Sequence, residues 1–352
     1  MGLPEVIISF ESKGTSAIKR SARGIVALIL KDDTKPVGET IYTGIDQVIK
    51  EDWTADNYDY ISKTFMGTPS KVIIERIATT ATDYNSALAI LKNKKFNYLA
   101  IPRIVQADAT NIATWIKSCR TNDKKTFKAV LSNIASDDEG IINYCTEDND
   151  DGIKKYSASE YTCRIAGILA GLSLDRSSTN YVLSELKSIK ESIDPNIDID
   201  AGKLILINDG ENIKIARGVN SLITTTATKG EDFKKIKIIE GMDLVRDDIR
   251  DTFGNNYSGK VINNYDNKML FLAAVNAYFK IIGKENILDS DMDNKAEINF
   301  KAQYNYLKGK SVDVDSLTEQ QVKEYNTGAK VFMMAHAKFV DAMEDLYFDI
   351  FV

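Results

Sequence analysis

The 352-residue sequence predicts an α/β layer with a partly parallel sheet, then an α+β region, with a strand-forming arm at each end. Three observations predict it. Short apolar runs alternate with amphipathic stretches of helical period through the first half, the pattern of strands and helices packed in layers. The last third turns to long, charge-rich helical patterns. The two ends carry apolar, β-prone runs tied on through polar connections.

Taken in order, Val6-Ile7-Ile8-Ser9-Phe10 forms a short strand, and 11–16 is a polar leash loosened by Gly14. The compact region opens at Arg23-Gly24, with 25–30 as a buried strand. Helix 57–65 and strand 71–76 follow, then helix 84–92 with apolar Ala87, Leu88, Ile90 and Leu91. Strand 97–101 is stopped by Pro102. Helix 108–120 carries Ile112, Trp115 and Ile116 on one face; strand 127–131 and helix 157–172 come after it. The acidic run 147–152 reads as a loop and Asp194-Pro195-Asn196 as a break. Asp209-Gly210, between apolar 204–207 and 213–215, marks a hairpin. Residues 233–253 have helical spacing, open to a break at Gly241 because 235–238 alternates like a strand. Residues 264–282 form a second long helix and 317–326 a short polar one, with Ser316 and Glu319 as its capping box.

The closing stretch has strand spacing twice. Val331, Met333, Ala335, Ala337 and Phe339 share one face; the Ala and Met content there also fits a helix. After a polar connection at 341–345, Leu346, Phe348, Ile350 and Val352 share a face, with Tyr347, Asp349 and Phe351 opposite. So apolar an extended run must pair inside its own domain or complete a sheet in another molecule.

A formal net charge of -6 argues against a general nucleic-acid binder. Apolar runs fall short of the roughly 20 residues of a membrane helix, and the first residues do not follow a secretory pattern. Cys119, Cys145 and Cys163 are spaced as reduced, buried thiols. Catalytic patterns fail on inspection. His336 is the single histidine and has no second ligand beside it. Gly309-Lys310-Ser311 lacks the upstream glycine of a phosphate loop. Asp289, Asp291 and Asp293 imitate a calcium loop, but Asn294 and Phe300 stand where glycine and glutamate belong. Asp247 and Asp248 read as a carboxylate pair on an exposed helix face. The expectation is no enzyme, no metal and no cofactor.

Several stretches together resemble contractile tail sheath proteins, in particular the compact sheaths of Gram-positive phages and phage-tail-like bacteriocins. They are Gly2-Leu3-Pro4; 23–28; 216–222 around Arg217-Gly218; 247–253 with Tyr257, Gly259-Lys260 and Asn263; and 340–347. The resemblance implies an N-terminal exchange arm (1–22), an outer α/β domain (23–222), an inner α+β domain (223–340) and a C-terminal exchange arm (341–352). It implies hexameric rings stacked helically around a tail tube. Val6, Ile8, Phe10, Leu346, Phe348, Ile350 and Val352 would be the residues exchanging strands between subunits. The leashes 11–16 and 341–345 would be hinges, and Glu319, Gln320, Lys323 and Glu324 tube contacts. Partners would be the protein itself, the tail tube protein, and baseplate and tail terminator proteins, without direct contact to nucleic acid or membrane. The particle would be a virion tail or tail-like particle assembled in the host bacterial cytoplasm, driven by a metastable lattice rather than a nucleotide. The alternatives are a static strand-exchanged filament or surface-layer protein, and a nucleotide-binding α/β enzyme.

Overall fold

The structure is a computed structural model and describes residues 17–351. Val6, Ile8, Phe10 and Val352, and the leash 11–16, lie outside them. The chain forms two compact units: Ala22–Leu244 together with 341–351, and 17–21 together with Val245–Val340.

The larger unit is built on strands β1 (Ile25–Lys31), β2 (Gly38–Tyr42), β3 (Lys71–Ile77), β4 (Tyr98–Ala100), β5 (Lys128–Ser132) and β6 (Ile141–Tyr144), followed by β7 (Glu147–Asp150), β8 (Lys155–Tyr156), β9 (Ser188–Lys190), β10 (Lys203–Leu204), β11 (Leu206–Asn208) and β12 (Ile213–Ile215). Its helices are α1 (Ala55–Phe65), α2 (Asn85–Leu91), α3 (Gln106–Thr121), α4 (Ala158–Gly171) and α5 (Pro195–Asp200). Seven strands form one sheet in the order β10-β6-β5-β4-β1-β3-β2, parallel except for edge strand β2. Residues 25–30 of β1 are buried on both faces, hence an unbroken apolar run. Val26, Leu28 and Leu30 pack with Tyr60 of α1 and Ile165 and Ile168 of α4. Ile25, Ala27 and Ile29 pack with Leu88 and Leu91 of α2 and Ile112 and Ile116 of α3. Helices on both faces of a mostly parallel sheet are the expected α/β layer. At Gly167 of α4, a Cβ would lie 2.1 Å from the Thr64 carbonyl oxygen of α1, so the two helices meet through backbone.

Helix α6 (Ile236–Thr252) contributes residues to both units. It is continuous through Gly241, so no break occurs there; Ile236, Ile239, Glu240, Asp243 and Leu244 are buried at helical spacing, which overrides the strand-like alternation. Its first half is held by charge. Asp243 accepts a fork of hydrogen bonds from Arg120 at 2.9 and 3.1 Å and one from Lys128 at 3.1 Å. Glu240 accepts from Tyr98 Oη at 2.5 Å and pairs with Lys128 and Arg23. Lys128, on β5, is fully buried. Burial drives its pKa down to about 8 against the pull of Asp243.

The smaller unit takes the rest of α6, a π-helical turn (Phe253–Tyr257), helices α7 (Tyr265–Lys284), α8 (Phe300–Lys308) and α9 (Glu319–Glu324), and strands β13 (Lys295–Ile298) and β14 (Met333–His336). β13 and β14 pair antiparallel into a two-stranded ribbon, so 333–336 is strand rather than helix. Leu307, Val314 and Val322 form a small core under α8 and α9.

Several expectations need correction. The acidic stretch 147–152 is not a loop: β7 pairs with β8 and β9, and buried Asn149 accepts from Tyr144 Oη at 2.6 Å, so its polar side chain is satisfied inside. Asp194-Pro195-Asn196 begins α5, with Asp194 capping Ile197 N and proline in the first turn. The capping box of α9 is Thr318 with Gln321, two residues beyond Ser316 and Glu319; Ser316 Oγ instead donates to the Asp313 carbonyl in a 3-10 turn. Asp248 is buried, not exposed. Of the two alternatives for the closing run, pairing within its own chain is not seen for 346–351.

Candidate assembly interface

Near each end of the described residues a buried carboxylate ties down the backbone. At the N-terminal root, within the smaller unit, Asp248 Oδ1 accepts from Ser21 N at 2.6 Å, and its Oδ2 accepts from Tyr278 Oη at 2.7 Å. Lys19 N donates to Thr252 Oγ1 at 3.2 Å. Arg20 pairs with Glu285 and lies 5.7 Å over the Tyr278 ring. Glu240, Leu244, Asp248 and Thr252 recur every four residues and all are buried. That period was the available signal that Asp248 faces inward.

At the C-terminal root, within the larger unit, Glu344 has a side chain only 6% exposed. Its Oε1 accepts from Ser177 Oγ at 2.8 Å and Thr179 Oγ1 at 2.6 Å. Lys235 Nζ and Arg217 Nε stand 3.6 and 3.8 Å from Oε2. Asp341 pairs with Lys235, and Asp345 with Arg217. Burial pulls the Lys235 pKa down, but Asp341 and Glu344 outweigh it and hold the group above its ordinary value. The root therefore joins two stretches far apart in sequence, 216–222 and 340–347.

Beyond that root the chain is bare. Leu346, Tyr347, Phe348, Ile350 and Phe351 are 74–94% exposed. Among the described residues, the outer edges of β13 and β14 carry no further strand of the sheet. Asn263 ties down the approach to β14: its Nδ2 donates to Thr327 Oγ1 and to the carbonyls of Gly328 and Lys330 at 2.6–3.1 Å.

The phage tail sheath protein central domain matches residues 78–221, and the phage tail sheath C-terminal domain matches 228–352. The tail sheath protein of Clostridium phage phiCD119 is 40% identical over 355 residues, covering 98% of each chain. The chain belongs to the phage tail sheath family. Solved structures agree on the fold. The sheath tail protein of Desulfitobacterium hafniense superposes with a TM-score of 0.71 at 17% identity, over 84% of this chain and 94% of that one. The contracted helical sheath of the anti-feeding prophage gives 0.73 at 10% identity, over 100% and 99%.

In this sheath protein, the residues expected at the tube lie on α9. Glu319, Gln320 and Glu324 are exposed and Lys323 half-buried. They pair along the helix: Lys323 with Glu319 at 2.5 Å, and Gln320 Nε2 donating to Glu324 at 2.6 Å. His336 is exposed on β14. The Asp289–Asp293 turn is tied to the strand end, with Asp289 N donating to the Lys338 carbonyl at 2.8 Å. Among the described residues no group of three or more histidine, cysteine, aspartate or glutamate side chains is placed to hold a metal, and no helix is long and apolar enough to cross a membrane.

Proposed function

We propose that this sheath subunit polymerises by strand exchange: its apolar ends add to the β13–β14 ribbons of neighbouring copies, building stacked rings around a tail tube. The observation that carries this reading is the pairing of opposites in one molecule. A clamped root leads into an unpaired, exposed, β-prone tail, while among the described residues the ribbon keeps an open outer edge on β14; on β13 the Ala296 N–H and carbonyl are already held by Asn276 at 2.7 and 3.1 Å. Main-chain hydrogen bonds supply the linkage, and alternate side chains fix the register. Contraction keeps these links while subunits rotate and slide, the segments 11–16 and 341–345 bending as hinges. An extended lattice relaxing to a shorter one supplies the work, with no nucleotide consumed. The four residues of α9 face the tube, and baseplate and terminator proteins close the ends. The polymer belongs to a virion tail or tail-like particle assembled in the bacterial cytoplasm.

The enzyme reading fares worse on the crevice where doubly wound sheets hold ligands, at the carboxyl ends of β1 and β4. That crevice, about 470 Å³, presents Asp56 and Asp108. Its cations are engaged: Lys31 donates to the Ala81 carbonyl at 2.7 Å and Arg103 pairs with Asp56 at 3.0 Å. A phosphate finds neither a glycine-rich turn nor a free charge there.

Deleting 346–352 tests the proposal. The expected product is folded and soluble but fails to build tubes in negative-stain images; normal tubes would overturn the arm assignment. Deleting 4–10 should act in the same direction. Two tube lengths per ring in one preparation separate a contractile sheath from a static filament. Retained tube binding after replacing all four α9 residues would remove them as contacts.

A further inference from the structure

The smaller unit contains an apolar groove of about 360 Å³, walled by the π-helical turn, α7 and the edge of β14. Phe253, Tyr257 and Phe271 form an aromatic floor, with Tyr257 and Phe271 edge-to-face at 4.7 Å, and Val331 and Met333 supply the β14 side. Among the described residues, two polar groups facing this groove lack a partner, and one of them is a fully buried oxygen. Lys268 is 4% exposed, and among the described residues no carboxylate or carbonyl pairs with its ammonium. The Oδ1 of Asn263 is buried without a donor, although its Nδ2 is fully used. Burial lowers the Lys268 pKa. A buried cation and a buried bare carbonyl in one apolar groove call for an occupant carrying an anion and an N–H.

The exposed tail has that composition. On one face of an extended chain, Tyr347 and Phe351 flank Asp349. The two aromatics stand four residues apart, about 13 Å along a strand. Asp349 is exposed and makes no ion pair among the described residues. We propose that this groove receives the 346–351 tail of a second copy, Asp349 pairing with Lys268, a tail main-chain N–H donating to Asn263 Oδ1, and Tyr347 and Phe351 covering the aromatic floor. The assignment rests on the strand-exchange reading and adds which edge, which groove and which residue pair the C-terminal arm uses.

Charge reversal in the full-length chain tests it. Asp349→Lys, on an exposed tail, leaves the monomer folded and raises the concentration needed for polymer about tenfold or more, the usual cost of breaking a desolvated pair. Lys268→Glu does the same, and Lys268→Glu with Asp349→Lys restores polymer. Circular dichroism checks that each chain is folded. As a second readout, Lys268→Cys with Asp349→Cys, treated with diamide, gives a ladder of disulfide-linked multimers on a non-reducing gel. Burial holds the native thiols of Cys119, Cys145 and Cys163 at about 11, 11 and 12, so they compete poorly. Failure of the double reversal and of the ladder, in a protein that still needs its tail to polymerise, overturns the pairing but leaves strand exchange standing. Rescue of Lys268→Glu by reversing Glu5 or Glu11 gives the groove to the N-terminal arm and also overturns it. A cross-link confined to monomers overturns the second copy. Normal polymer after deletion of 346–352 removes both readings.

Discussion

Glu344 shows how much one carboxylate can fix. Two hydroxyls donate to it and two cations stand within 4 Å, almost out of water. Replacing it by alanine leaves those partners facing an apolar methyl, at a cost of about 1–3 kcal/mol. Glu344→Ala should leave the fold intact but raise amide hydrogen exchange across 341–345, seen by mass spectrometry, and slow polymerisation. Glu75 makes the opposite case. On β3 and 1% exposed, it sits opposite Glu39, with Oε1 unpartnered. Burial, then the charge of Glu39, pushes its carboxyl from 4.5 up to about 7. The folded chain therefore holds this proton more tightly than the unfolded chain. Stability falls as pH rises from about 4.5 to 7, and the cost persists above 7. Glu75→Gln should stabilise the protein by about 1–3 kcal/mol at pH 8 and flatten the rise in melting temperature that the parent shows between pH 8 and 6.

Elements were legible wherever apolar spacing carried the signal. β1, β3, α3, α4 and α7 are found where periodicity places them, because packed faces dictate period. β6, β13 and α8 were missed: Ile141–Tyr144 and Lys295–Ile298 are only four residues each, and Phe300–Lys308 opens with apolar and polar residues in strand-like alternation. Asn149 and Asp248 were misjudged for one physical reason: a polar side chain goes inside when partners distant in sequence await it, and composition does not show those partners. The clamps at Asp248 and Glu344 were invisible on the same ground, although the stretches containing them were singled out. The contact between α1 and α4 yields a firm expectation. Alanine at an open helix position gains about 0.5–1 kcal/mol over glycine. At Gly167 the new methyl would overlap the Thr64 carbonyl, and overpacking of that kind costs about 1–3 kcal/mol or more. Gly167→Ala should lower the urea midpoint with an unchanged slope.

At the scale of the whole molecule, the α/β layer and the helical last third that the sequence showed are both present, and the chain belongs with the phage tail sheaths. Removing 346–352 should act twice, abolishing tubes and raising the amount of subunit that stays in the supernatant on ultracentrifugation. Five large apolar side chains held in water on every unassembled copy have a consequence for timing. A solution filling with such subunits accumulates exposed apolar surface with each copy added. A growing polymer that covers this surface promptly keeps the remaining free subunits dilute and out of precipitate.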